Sequence, residues 1–168
     1  MEKHNSPPSA RLPWTWFGAA AAGGVPLGLL WWLLAPGGLN LITRNPALGN
    51  GTNPEVWLPR DLTLAGLLVF GGCLMAVFLT EKRGGAERQA FLLSLAGGLL
   101  GAVIAWQTGA LAGRVWGAPV DAAINASVAF SLRSLSVLLL WPAATAVSVF
   151  ALNLLNLLRK GPDTGMHQ

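Results

Sequence analysis

The 168-residue chain is 53% hydrophobic and 11% charged, far below the roughly 25% charged residues of an ordinary soluble domain. Its apolar residues gather into four blocks, each about long enough to cross a bilayer's hydrocarbon core, which argues against a free soluble domain and for a small polytopic membrane protein. Eleven Lys and Arg against seven Asp and Glu give +4, but the basic residues sit at block ends, so the charge reports orientation and not a nucleic-acid partner.

Met1 to Pro13 is a polar start with three prolines and no apolar period, read as an unstructured tail. The first span runs about Trp14 to Ala35, roughly 33 Å of helix. Trp14 and Trp16 at one end and Trp31 and Trp32 at the other are placed as interfacial anchors. Apolar sequence runs too far past Ala19–Ala22 for a cleaved signal peptide, so the span is retained. Pro36, Gly37 and Gly38 stop it, and a loop to Asp61 follows. The second span, about Leu62 to Leu79, starts after Pro59-Arg60-Asp61, with Asp61 as its N-cap. A charged link, Thr80 to Arg88, leads to the third span, about Phe91 to Gly113. A second loop to Ser134 precedes the fourth, about Leu135 to Leu158, and a polar tail closes the chain from Arg159. The expected fold is an all-α, integral membrane four-helix bundle.

Lys3, Arg11, Lys82, Arg83, Arg88, Arg159 and Lys160 lie on one side of this topology; Arg44, Arg60, Arg114 and Arg133 lie on the other. Seven against four places both termini in the cytoplasm and the two longer loops outside.

Span three carries Gly97, Gly101, Ala105, Gly109 and Gly113 at steps of four, and span one a shorter stripe at Gly24 and Gly28 preceded by Ala20. Small residues in register let two backbones approach closely, so spans one and three are expected neighbours, although the stripe could equally serve a homodimer. Pro26 and Pro142 sit inside spans one and four, where each removes a hydrogen bond and bends its helix.

No Asp, Glu, Lys, Arg or His falls inside the four spans so drawn, which disfavours a proton-coupled pump or voltage sensor. His4 and His167 lie in the tails and Cys73 is the one cysteine, so no catalytic triad, metal site or disulfide is expected. No nucleotide motif appears and no cofactor is implied. The polar residues at depth include Gln107 and Thr108 in span three and Thr145 and Ser148 in span four; Asn153 and Asn156 lie near the end of span four. Interhelical hydrogen bonding explains them most simply, and a small polar vestibule is the functional alternative. Arg44, Arg60, Arg114 and Arg133, with Glu55, Asp61 and Asp121, are the only charges in the two loops. Guanidinium forks suit a lipid phosphate, although salt bridges and helix anchoring are the commoner use. Asn50-Gly51-Thr52 and Asn125-Ala126-Ser127 match glycosylation acceptors only weakly.

Scarce Lys beside Arg, the absence of Tyr, and plentiful Ala, Gly and Leu suit a bacterium with a GC-rich genome. Three stretches add to this: Leu29-Leu30-Trp31-Trp32-Leu33-Leu34-Ala35-Pro36, the run from Leu95 to Gln107, and Leu138-Leu139-Leu140-Trp141-Pro142. In order and spacing they resemble a family of uncharacterised four-span actinobacterial membrane proteins, a domain of unknown function. The resemblance covers about Trp14 to Leu158 and implies an actinobacterial plasma membrane and four spans, with no activity attached. The functional expectation is a non-catalytic accessory or scaffold subunit of a membrane assembly or envelope process, meeting lipids and either a membrane-protein partner or itself. Its rivals are a self-associating small transporter or channel lined by Gln107, Thr108, Thr145 and Ser148, and an outer-leaflet lipid-binding protein using the four arginines.

Overall fold

The structure, a computed structural model, describes residues 12–36, 38, 39, 41, 57–81, 87–116 and 132–159. Four helices form: α1 (Leu12–Leu34), α2 (Trp57–Glu81), α3 (Glu87–Trp116) and α4 (Leu140–Arg159), the last preceded by a 3-10 turn, Leu135–Leu139. Each is long and apolar enough to cross a membrane.

The helices associate out of chain order. Gly24 faces Gly101 and Gly28 faces Ala105, so residue numbers rise together along α1 and α3, which run parallel in the tightest contact of the fold. A second parallel pair joins α2 to α4: Asp61 meets Ser134, and Gly72 meets Trp141 and Thr145. The two pairs stack, and contacts between chain neighbours α1 and α2, or α3 and α4, are sparser.

Small residues make the α1–α3 seam possible. A Cβ built on Gly24, Gly28 or Gly101 would collide with a backbone carbonyl oxygen of the facing helix, that of Gly101, Ala105 and Ala20 respectively. One on Gly97 would lie 2.7 Å from the Phe17 oxygen, and one on Gly109 would strike the Trp31 ring. Backbone-to-backbone approach of this kind exposes Cα–H groups to carbonyls and raises dispersion contact along the whole seam. Gly113, the last of the stripe, is half-buried.

The packing is the reverse of a soluble bundle. Alanines 20, 76, 102, 105, 110 and 112 are buried, while Phe70, Phe78, Leu111, Val147, Phe150 and Leu157 are exposed on the outside. Large side chains on the surface and small ones in the seams suit a hydrocarbon solvent, in which helix association gains nothing from hiding leucine.

Several boundaries differ from the sequence expectation. Helix α1 already includes Leu12 and Pro13. Helix α2 begins five residues before Leu62, because Pro59 falls in the first turn, where its missing N–H breaks no hydrogen bond. The Thr63 hydroxyl donates to the Pro59 carbonyl at 2.7 Å, binding that turn to the next. Arg60 and Asp61 are therefore helical and buried, so ionisable residues do lie inside an apolar helix. Pro142 likewise occupies the first turn of α4, just after the 3-10 turn, and is not a mid-helix kink. Trp31 and Trp32 point into the bundle, at 0% and 9% exposure, and do not act as outward anchors; Trp14 is exposed.

Candidate functional site

The most concentrated polar chemistry lies where α1 and α3 end and α2 and α4 begin. Chain direction at the end of α1 is set by Gly38, whose Cα passes so close to the Trp32 carbonyl oxygen that any Cβ would overlap it. The Leu39 N–H then donates back to that oxygen at 3.1 Å, and the carbonyl of Pro36 is left facing α2. Into that space comes the Arg60 side chain, 5% exposed, whose Nε–H donates to the Pro36 oxygen at 3.0 Å. In return, the Trp31 indole N–H donates to the Arg60 carbonyl at 2.9 Å. The two bonds tie the end of α1 to the start of α2.

Asp61, 3% exposed, faces the other way. Its Oδ2 accepts the Ser134 N–H at 2.9 Å and its Oδ1 the Arg133 N–H at 3.4 Å. Asp61 is thus a cap, but for the segment entering α4 and not for its own helix. The free amides of a helix start attract a carboxylate wherever in the chain it originates. Since Arg60 and Asp61 are adjacent, the buried guanidinium also has a neighbouring carboxylate to offset its charge, a condition for tolerating it in an apolar interior.

The four arginines considered for phosphate therefore separate. Arg60 is internal, Arg114 and Arg133 are exposed at this same end, and Arg44 lies outside the described residues. Glu55, Asp121 and both glycosylation triplets also lie outside them. Near Arg114, Trp32 and Trp116 pack at 5.6 Å between ring centroids, closing the ends of α1 and α3 together.

The four candidate vestibule residues do not converge. Thr145, fully buried, sends its hydroxyl hydrogen between the Gly72 carbonyl at 3.2 Å and its own helix's Trp141 carbonyl at 3.0 Å. Ser148 donates to Cys73 Sγ at 3.4 Å. Both belong to the α2–α4 seam. Thr108 lies on the α1 side of α3, beside Gly28, and Gln107 is exposed on the outside of α3.

A residue with no assigned role in the sequence reading occupies the centre. Trp141, 3% exposed, lays its indole against Gly23 of α1, Gly71 of α2, and Gly98 and Gly101 of α3, so one side chain touches all three other helices. Glycine on each wall leaves room for the ring. The Gly71-Gly72 and Gly97-Gly98 doublets were the available signal, each placing one glycine in a backbone seam and one against this ring. Its Nε1–H has no acceptor among the described residues.

No family model, curated protein or solved structure matches the chain. Its chemistry must be read from its own residues. Among the described residues, no three His, Cys, Asp or Glu side chains are grouped as an ion site would require.

Proposed function

We propose that all four helices insert in a bacterial plasma membrane, with both termini cytoplasmic, and that the chain is a non-catalytic accessory or scaffold subunit of a membrane assembly or envelope process. One observation carries this reading. The buried polar side chains that bond across helices join those helices together, through Arg60 to α1, Asp61 to the start of α4, and Thr145 to α2. Each helix also carries several large apolar side chains that face outward. Such a body has a fixed interior and broad lateral surfaces, which is what a protein needs to position others within a bilayer. The Lys and Arg distribution supports the orientation, and the length and apolar composition of the four helices support the membrane. No cofactor or nucleic acid enters the proposal.

Native mass spectrometry after gentle extraction from the host membrane tests it. A second protein in stoichiometric amount supports the scaffold role and names the process. A preparation containing only this chain and lipid overturns it.

A further inference from the structure

Helix α3 has two apolar faces, and among the described residues only one is covered. Gly97, Gly101 and Gly109 face α1. Half a turn away, Leu100, Val103, Gln107, Leu111 and Arg114 recur at steps of three, four, four and three, a single stripe along the helix. Leu100, Leu111 and Arg114 are exposed and Val103 is half-buried. Gln107 sits in the middle of the stripe, exposed, with no hydrogen-bond partner among the described residues.

Depth makes that carboxamide informative. Gln107 is nine residues before Trp116, about 13 Å along the axis at 1.5 Å per residue, too far for its side chain to reach the end of the helix. In a bilayer it would stand in hydrocarbon with two donors and an acceptor unanswered, at a cost of several kcal/mol. We infer that this face of α3 is a homodimer seam, in which Gln107 of one copy pairs with Gln107 of a second. Copies inserted in the same orientation can be related only by a two-fold axis normal to the membrane, so a residue on that axis meets itself at its own depth. A carboxamide is suited to such a meeting, because each of two glutamines donates to the other's oxygen. Leu100 and Leu111, eleven residues apart and so on one face of the helix, pack above and below the pair, and Arg114, two turns beyond, reaches the headgroups. The seam rests on the proposed membrane insertion but not on the scaffold role, since a dimer can serve any function.

The test reconstitutes the full chain, fluorescently labelled at its N-terminus, in phospholipid vesicles and measures energy transfer against protein-to-lipid ratio. Wild type should dimerise, and Gln107→Leu, which keeps the apolar surface, should weaken the association constant about 3- to 30-fold, matching hydrogen bonds of roughly 0.6–2 kcal/mol. In a Cys73→Ala background, Leu111→Cys should cross-link on oxidation and Leu74→Cys, on the exposed face of α2, should not. A monomeric wild type, an unchanged constant in Gln107→Leu, or equal cross-linking through Leu74→Cys would each overturn the seam. So would the same Leu111→Cys variant, oxidised in its host membrane, cross-linking to a different protein in place of a second copy.

Discussion

A methyl group added at Gly24 should cost far more than its size suggests. An alanine Cβ there would lie 2.9 Å from the Gly101 carbonyl carbon and 3.0 Å from its Cα, and closer still to the carbonyl oxygen. Both partners are backbone, so no rotamer change relieves the overlap. The helices must part by about half to one ångström to restore carbon contacts near 3.5–4.0 Å. Parting also loosens Gly28 over Ala105 and Gly101 over Ala20, one turn to either side. Overpacking costs about 1–3 kcal/mol, and each weakened Cα–H···O contact adds roughly 0.5–1 kcal/mol. The expected loss for Gly24→Ala is therefore about 2–5 kcal/mol, or roughly 30- to 5,000-fold in the folding constant. Gly18, on the same helix, supplies the comparison, because a Cβ there meets nothing within 4 Å. Gly18→Ala should be neutral or stabilise by up to about 1 kcal/mol through helix propensity alone. Reversible unfolding by SDS in mixed micelles, followed by tryptophan fluorescence, measures both. Midpoints that move together, or a Gly24→Ala variant as stable as wild type, would refute a seam of touching backbones.

Removing the carboxylate at Asp61 strips the cap from Ser134 and leaves the Arg60 guanidinium without its adjacent countercharge. Asp61→Ala should lose about 0.5–2 kcal/mol, the worth of a cap, and Asp61→Asn less, because one acceptor remains; the same titration ranks them. Thr145→Val keeps the shape and deletes the bond to Gly72, so its loss should stay near 0.6–1.7 kcal/mol. A change above 3 kcal/mol would mean that the hydroxyl does more than join α2 to α4. Cys73 is exposed on α2, eight residues from its Glu81 end, about 12 Å along the axis. In vesicles it should react with a lipid-soluble maleimide and resist a charged one; rapid reaction with the charged reagent would place that face in water.

What the sequence made legible was whatever repeats along one helix. Four apolar blocks became four helices, and small residues at steps of four in the third block share a face because that step nearly completes a helical turn. Contacts made across the chain were out of reach. Asp61 followed by an apolar run reads locally as an N-cap, yet the amides it holds belong to residues more than seventy positions later. Pro59 read as a break because a proline's effect depends on whether it falls in the first turn or beyond it. Trp141 drew attention only as part of an apolar run, since the glycines that make room for it come from three other helices. The vestibule suffered the same loss: position along an apolar block is readable from the sequence, but the facing of Gln107 and Thr145 is not.

The parallel pairing of α1 with α3 has a bearing on how the chain is made. Helix α1 emerges from the ribosome first, and its best partner is complete only when Trp116 has been added. At roughly 5–20 residues per second, the interval from Leu34 to Trp116 lasts about 4–16 s. Through that time the glycine face of α1 lacks its partner, with only the sparse contact of α2 to cover it. Helix α2 waits similarly for α4. On the proposal that the helices insert in a bilayer, the bundle closes after its individual helices are in place and not hairpin by hairpin, which makes the nascent α1 face the natural point of engagement for any insertase that escorts this chain.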